Sequence, residues 1–301
     1  MCNLQFPSNY WALIQQAFPN LEIRNVEINR EGMANDVVVV NHEHVFRFSR
    51  QPSNEEDPGY EVKAIDFIRP YLSLDIPKID FSSEKMISYP FISGVALTQN
   101  LVLHLSEPEV DNLARELGRG MHELHCIPIK QARENGLRNP PTLVHGSNGW
   151  ETFFNEAGNI LLPQMGENRK KEFLKLEKYA QDPFFLECTP AVIHGDICSD
   201  HILVDPAKAE VTGIIDWGTA GLGDPASDYV GIAFELGENF LHRMVTADPD
   251  IPSMIEKIRF WVRTMNWQVL LKYHQTLDTA WMNCIHPYNR DLLPVGSGWD
   301  K

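Results

Sequence analysis

Long apolar runs, paired cysteines and positive charge are what this sequence has little of. No stretch reaches the roughly 18 apolar residues that a membrane span needs, and Met1-Cys2-Asn3-Leu4-Gln5 offers neither the basic start nor the apolar stretch of a secretory leader. A cytoplasmic chain without a membrane partner is the expectation. The cysteines, Cys2, Cys126, Cys188, Cys198 and Cys284, are odd in number, scattered and never spaced CxxC, which argues against a disulfide framework and a zinc site. Acidic residues number 41 against 26 basic ones, a formal charge of −15. Such a surface repels nucleic acid and anionic lipid and attracts a cationic ligand. Glycine is also thin where it would matter: Glu31-Gly32-Met33-Ala34-Asn35-Asp36 holds one glycine, too few to predict a phosphate-cradling loop alone.

What is present suffices for a large core. At 301 residues and 43% hydrophobic content, the chain can form two lobes. Trp11, Leu13, Ile14 and Phe18 make a helical stripe ended by Pro19-Asn20. Val37 to Val40 and Val45-Phe46-Arg47-Phe48, separated by Asn41-His42-Glu43-His44, predict a hairpin with a four-residue turn. Tyr60, Val62, Ala64, Ile65, Phe67 and Ile68 fit one helix, and residues 85–89 another strand. Pro90-Phe91-Ile92-Ser93-Gly94 interrupts regular structure, so the expected division is residues 1–92 and 93–301. Beyond it, residues 110–124, 169–179 and 254–273 carry helical apolar spacing.

Among those helices lies one β-rich island with three short apolar strands, at 191–193, 202–204 and 211–215. Polar groups gather at the strand ends: His194-Gly195-Asp196 after the first, His201 five residues after Asp196, and Asp216-Trp217-Gly218 after the third. Phosphoryl transfer needs mostly positioning, with one carboxylate to orient a hydroxyl and oxygen ligands to hold Mg²⁺ against phosphates. Asp196 and Asp216 meet those needs if a hairpin of roughly twenty residues sets the strand ends side by side.

His194-Gly195-Asp196-Ile197-Cys198-Ser199-Asp200-His201, followed by Gly213-Ile214-Ile215-Asp216-Trp217-Gly218 and Gly223-Asp224-Pro225-Ala226-Ser227-Asp228, resembles the aminoglycoside phosphotransferase family, which includes macrolide phosphotransferases. The resemblance implies an α+β, bilobal protein-kinase-like fold, with a small antiparallel β-sheet lobe and a larger, mainly helical lobe. It also implies Asp196 as catalytic base, His201 and Asp216 facing Mg²⁺, and ATP or GTP as donor. Tyr60-Glu61-Val62-Lys63-Ala64 resembles the family's small-lobe helix, with Arg47 where a phosphate-pairing lysine is usual. Tyr89, Phe91 and Ile92 would then line the purine edge.

Other residues read more plainly. His194 is expected to hold the loop by hydrogen bonding, and Asp224 and Asp228 to fix the segment after the metal loop. His122 and His125 are three apart, whereas the helical zinc motif needs four. Cys198 lacks a motif partner and reads as an inert thiol. Glu235 and Glu238, with Trp261, Trp267 and Trp281 downstream, would form an acidic and aromatic wall for a polyamine sugar. The expected protein is a monomeric small-molecule kinase acting on an aminoglycoside. A macrolide kinase, a kinase of small metabolic alcohols and a catalytically silent nucleotide binder remain open at this stage.

Overall fold

The computed structural model describes residues 8–30, 35–50, 58–139 and 146–277. Helix α1 (Ser8–Ala17) leads into β1 (Val26–Asn29), β2 (Asn35–Val40) and β3 (His44–Ser49). The valine run of β2 alternates between half-buried and buried positions, as a strand with one face on a core must. Val38, Val40, Phe46, Phe48 and Met86 form that core, closed by Ile14 of α1. The hairpin turn is one residue shorter than the sequence suggests, because His44 pairs with Val40. Asn41 and His42 take left-handed φ of 58° and 54°, a conformation these two residues adopt more readily than most.

Helix α2 (Pro58–Ile68) follows, then β4 (Phe81–Ser82) and β5 (Met86–Pro90), completing an antiparallel five-stranded sheet ordered β1-β2-β3-β5-β4. Ala64, Ile65 and Ile68 of α2 are fully buried and belong to the main core of the molecule. The α-helix ends before Pro70, and a short 3-10 turn, Arg69–Tyr71, takes the proline near its first position.

After β6 (Val95–Ala96) and the short α3 (Gln99–Val102), α4 (Glu107–His125) crosses the main core. Ser106 N–H donates to Glu109 Oε2 at 2.7 Å, capping a stripe of Val110, Leu113, Ala114, Leu117, Met121 and Leu124. Next come α5 (Ile129–Glu134), α6 (Gly146–Ile160), α7 (Glu167–Tyr179) and α8 (Pro183–Leu186). The sequence reading missed α6, whose start is surrounded by proline and glycine. Its Trp150, Phe153 and Phe154 pack with Phe173 of α7 in a second, aromatic core.

The β-rich island divides in a way its sequence did not foretell. β7 (Ala191–Ile193) pairs with β10 (Gly221–Gly223), while β8 (Ile202–Asp205) lies between β6 and β9 (Glu210–Ile214), pairing with both. The chain reverses after β9, and residues 221–223 run back along β7. Then α9 (Val230–Glu235), α10 (Glu238–Met244) and the long α11 (Ile251–Thr276) close the fold. No described helix is long and apolar enough to cross a membrane.

Helix α9 lies directly behind the loop that follows β7. A Cβ on Gly231 would stand 2.1 Å from the Ile197 carbonyl oxygen, so glycine is required for this approach. Gly231→Ala is expected to lower stability by about 1–3 kcal/mol through overpacking, measured by denaturant unfolding. An unchanged midpoint would contradict the close approach.

Candidate active site between the sheet and the helices

Strand β3 directs Arg47 inward, and its side chain is 8% exposed. Its Nη1 meets Glu61 Oε1 of α2 at 2.6 Å, and Nη2 meets Asp216 Oδ1 at 2.9 Å. Burial works against charge on Arg47, but attraction to Glu61 and Asp216 outweighs it and raises its pKa. Burial likewise raises Glu61, with Arg47 pulling it back. Asp216 is lowered: burial opposes its charge, but Arg47 and His201 prevail. Asp216 adopts φ 67° and ψ 64°, a left-handed conformation costing an L-residue roughly 1–2 kcal/mol and tolerated best by Asn and Asp. Trp217 anchors this turn, fully buried and donating Nε1–H to Ile214 O at 2.9 Å.

Asp196 and Asp216 follow strands that do not pair, so a simple hairpin is not what joins them. His194 supplies the join. Its Nε2–H donates to Ile215 O at 3.0 Å, and its Nδ1 accepts from Asp196 N–H at 3.2 Å. Ile215 N–H donates to His201 O at 2.9 Å. One ring nitrogen donating and the other accepting defines a neutral imidazole, and burial lowers the His194 pKa to about 4. The loop is held below by Asp228, fully buried, which accepts from His194 N–H at 2.9 Å and Gly195 N–H at 2.8 Å. His125 Nε2 reaches the same carboxylate at 3.1 Å, while His122 faces Asp248 and Asp250 instead. The two α4 histidines thus diverge.

Asp196 opens toward solvent but is enclosed by protein around its mouth. That desolvation, with repulsion from Asp216, pushes its carboxyl up to about 6 against the pull of His201. His201 Nδ1 donates to the Asp196 carbonyl at 2.7 Å, and its Nε2 lies 3.5 Å from Asp216 Oδ2. Burial opposes charge on this ring, yet the Cys198 sulfur and the two carboxylates raise its pKa to about 10. In the ligand-free protein the ring is therefore protonated, Nδ1–H serving the Asp196 carbonyl and Nε2–H facing Asp216 Oδ2; Nε2 becomes a metal donor only when a cation displaces that proton. Asp216 Oδ1 is occupied by Arg47, so its other carboxylate oxygen is the one that can take a divalent cation, with His201 Nε2 as a second donor once deprotonated. The residues fit a metal, with Asp216 as the harder oxygen ligand.

The remaining expected residues divide. Tyr89 is buried at 4% exposure; burial raises its phenol pKa, with Arg47 opposing. Phe91 N–H donates to Glu43 O at 2.9 Å, tying the segment after β5 to the turn between β2 and β3. Ile92 packs toward Gly213, its Cγ2 lying 3.0 Å from where a Cβ there would be. Glu235 is half-buried, and its Oε2 accepts from Ser199 N–H at 2.5 Å. Glu238 and Trp267 do not form a ligand wall. Glu238 is 1% exposed and is neutralised by Arg259, with Nε–Oε2 3.1 Å. Trp267 lies in the aromatic core, its ring centroid 5.1 Å from that of Phe173. Trp261 packs partly buried against both cores. Trp281 and residues 31–34 of the glycine-poor segment lie outside the described residues.

Tyr60 was read from sequence only as an apolar helix position. Its hydroxyl donates to Ala220 O at 2.6 Å and accepts from Arg138 N–H at 3.3 Å, while the Arg138 guanidinium covers its ring at 4.2 Å. The tyrosine beside Glu61 thereby fastens α2 to the segment following Asp216. The polar tip on an otherwise apolar stripe was the available signal.

The hydrogen-bond pattern around His194 yields a direct test. NMR of ligand-free protein is expected to show this ring as the neutral Nε2–H tautomer, gaining its second proton only near pH 4. Titration near the ordinary value of about 6.5 would contradict the assignment.

With this geometry established, comparison with known proteins identifies the lineage. Residues 25–256 match the model of the phosphotransferase enzyme family. Viomycin phosphotransferase of Streptomyces vinaceus is 24% identical over 265 residues, covering 82% of this chain and 87% of that protein. The GDP and kanamycin complex of APH(2")-IIia has a TM-score of 0.80 at 26% identity, covering 91% of this chain and 95% of that one. The GDP complex of aminoglycoside 2'-phosphotransferase-IIIa gives a TM-score of 0.81 at 25% identity, covering 93% and 95%. The family match runs from β1 through Arg47, Glu61, Asp196, Asp216 and Asp228: the chain belongs to the phosphotransferase enzyme family, enzymes that transfer phosphate to hydroxyl groups within a protein-kinase-like fold.

Proposed function

We propose that the protein is a kinase of a cationic small molecule, transferring the γ-phosphate of ATP or GTP to a hydroxyl of an aminoglycoside-like antibiotic. The observation that carries this reading is the meeting of Asp196 and Asp216 across His201, at 3.8 Å and 3.5 Å, with Arg47 tying Asp216 to Glu61. In this proposal residues 1–92 form the nucleotide lobe and residues 93–301 the catalytic and acceptor lobe.

Asp196 takes the role of base, accepting the proton of the acceptor hydroxyl and orienting its oxygen toward the phosphate. A carboxyl near pKa 6 is mostly ionised at neutral pH and retains proton affinity. Arg47 offers positive charge to the donor's phosphates while Glu61 fixes its orientation. Asp216 and His201 would hold Mg²⁺, which when bound neutralises phosphate charge and aligns the donor. Net acidity and the carboxylates of Asp196 and Asp200 on one loop favour an acceptor bearing amines. The kanamycin bound by a structural relative supports the same class.

Mass-detected turnover with kanamycin, a macrolide and small alcohols, each offered with ATP and GTP, tests the assignment. The expected product is singly phosphorylated kanamycin. Asp196→Asn is expected to reduce kcat at least about a hundredfold while leaving nucleotide affinity within about threefold. Asp216→Asn is expected to weaken Mg²⁺-dependent nucleotide binding as well. Full turnover in the Asp196 variant would remove it from its role, and selective macrolide turnover would replace the proposed acceptor.

A further inference from the structure

The catalytic loop after β7 is secured at both ends, but its middle needs separate support. Asp228 accepts from His194 and Gly195 at the beginning, and Ile215 donates to His201 O at the end. Between these points the chain enters a one-turn 3-10 helix, Ser199–His201, whose N-cap residue is Cys198 and makes no side-chain cap hydrogen bond. The first N–H groups of a helix turn have no partner within it and require an acceptor. Ser199 is 9% exposed, so leaving its N–H unpaired would be costly.

That acceptor comes from another element. Glu235 Oε2, at the last residue of α9, accepts from Ser199 N–H at 2.5 Å. Gly231, one turn earlier on α9, touches the loop where a Cβ would meet Ile197 O at 2.1 Å and Cys198 Cα at 3.2 Å. Residues four apart share a helix face, so α9 supports the loop at two points: close contact at Gly231 and a charge-assisted hydrogen bond at Glu235. Asp196 immediately precedes this supported segment. The carboxylate is kept there despite its repulsion of Asp196, an electrostatic penalty that loop support offsets.

We propose that Glu235 is a positioning residue: it caps the 3-10 turn of the catalytic loop from α9 and thereby holds Asp196 in its reactive placement. The proposal deepens the kinase reading and rests on it for its catalytic consequence. It differs from a role in which Glu235 binds an amine of the acceptor, because capping needs an acceptor oxygen whereas amine binding needs the negative charge.

Glu235→Ala and Glu235→Gln separate these roles, since glutamine keeps an oxygen and loses the charge. Amide hydrogen exchange across residues 197–201 of ligand-free protein is read beside kinetics with kanamycin and the preferred nucleotide. In Glu235→Ala, Ser199 N–H is expected to exchange about tenfold faster, as loss of a charge-assisted hydrogen bond permits. Its kcat is expected to fall about tenfold or more, with the kanamycin KM within about twofold and thermal unfolding otherwise cooperative. Glu235→Gln is expected to restore both exchange and kcat to within about threefold of the wild type. Unchanged exchange in both variants, with an equal rise in kanamycin KM, would overturn the proposal and assign Glu235 to amine binding. If the wild type phosphorylates no acceptor, the kinase reading fails. The exchange comparison still decides the cap, and unchanged protection in Glu235→Ala refutes it.

Discussion

A buried guanidinium bridging two carboxylates is the constraint on which the arrangement of the candidate site depends. Arg47 has lost nearly all contact with water, and one desolvated charge costs several kcal/mol unless paired and hydrogen-bonded. Its planar fork meets that requirement from two directions, Glu61 on α2 and Asp216 on the turn after β9. Strand, helix and loop must therefore arrive together. A compact ammonium has no comparable rigid fork, so arginine here is more than a substitute for lysine. The Tyr60 hydrogen bond to Ala220 adds a second tie between the same helix and loop.

The neutral imidazole of His194 solves the neighbouring problem. β7 and β9 lie in different sheets, so no ladder of backbone hydrogen bonds can bring Asp196 and Asp216 together. A side chain that donates on one side and accepts on the other replaces the missing ladder. Burial suits this role because it suppresses the protonated form, in which both nitrogens would donate. Asp228 completes the arrangement by accepting two consecutive backbone N–H groups.

Much of this was legible in the sequence, and the limits have physical causes. The alternating valines of β2, the apolar stripe of α4 and the acid pair Asp196 and Asp216 announced themselves through period and spacing. Strand partnership did not, since the link between β7 and β10 depends on a chain reversal that local patterning does not encode. The expected wall of Glu238 and Trp267 failed for a related reason. Composition marks a carboxylate or indole as available to a ligand, but the fold gave Glu238 to Arg259 and Trp267 to the aromatic core. Helix α6 escaped detection because breaker residues crowd its start, although its aromatic face proves decisive for packing.

That aromatic face also sets how the molecule can change over time. Trp150, Phe153, Phe154 and Phe173 belong to a core distinct from the one beneath α4. Helix α11 contributes to both, with Ile258 and Val262 in one and Phe260 and Trp267 in the other. Substitutions at well-separated sites tend to add without interacting. A substitution in the α6–α7 layer that leaves α11 in place is therefore expected to act independently of changes at Arg47, Asp196 or Asp216, whereas one that shifts α11 reaches both cores.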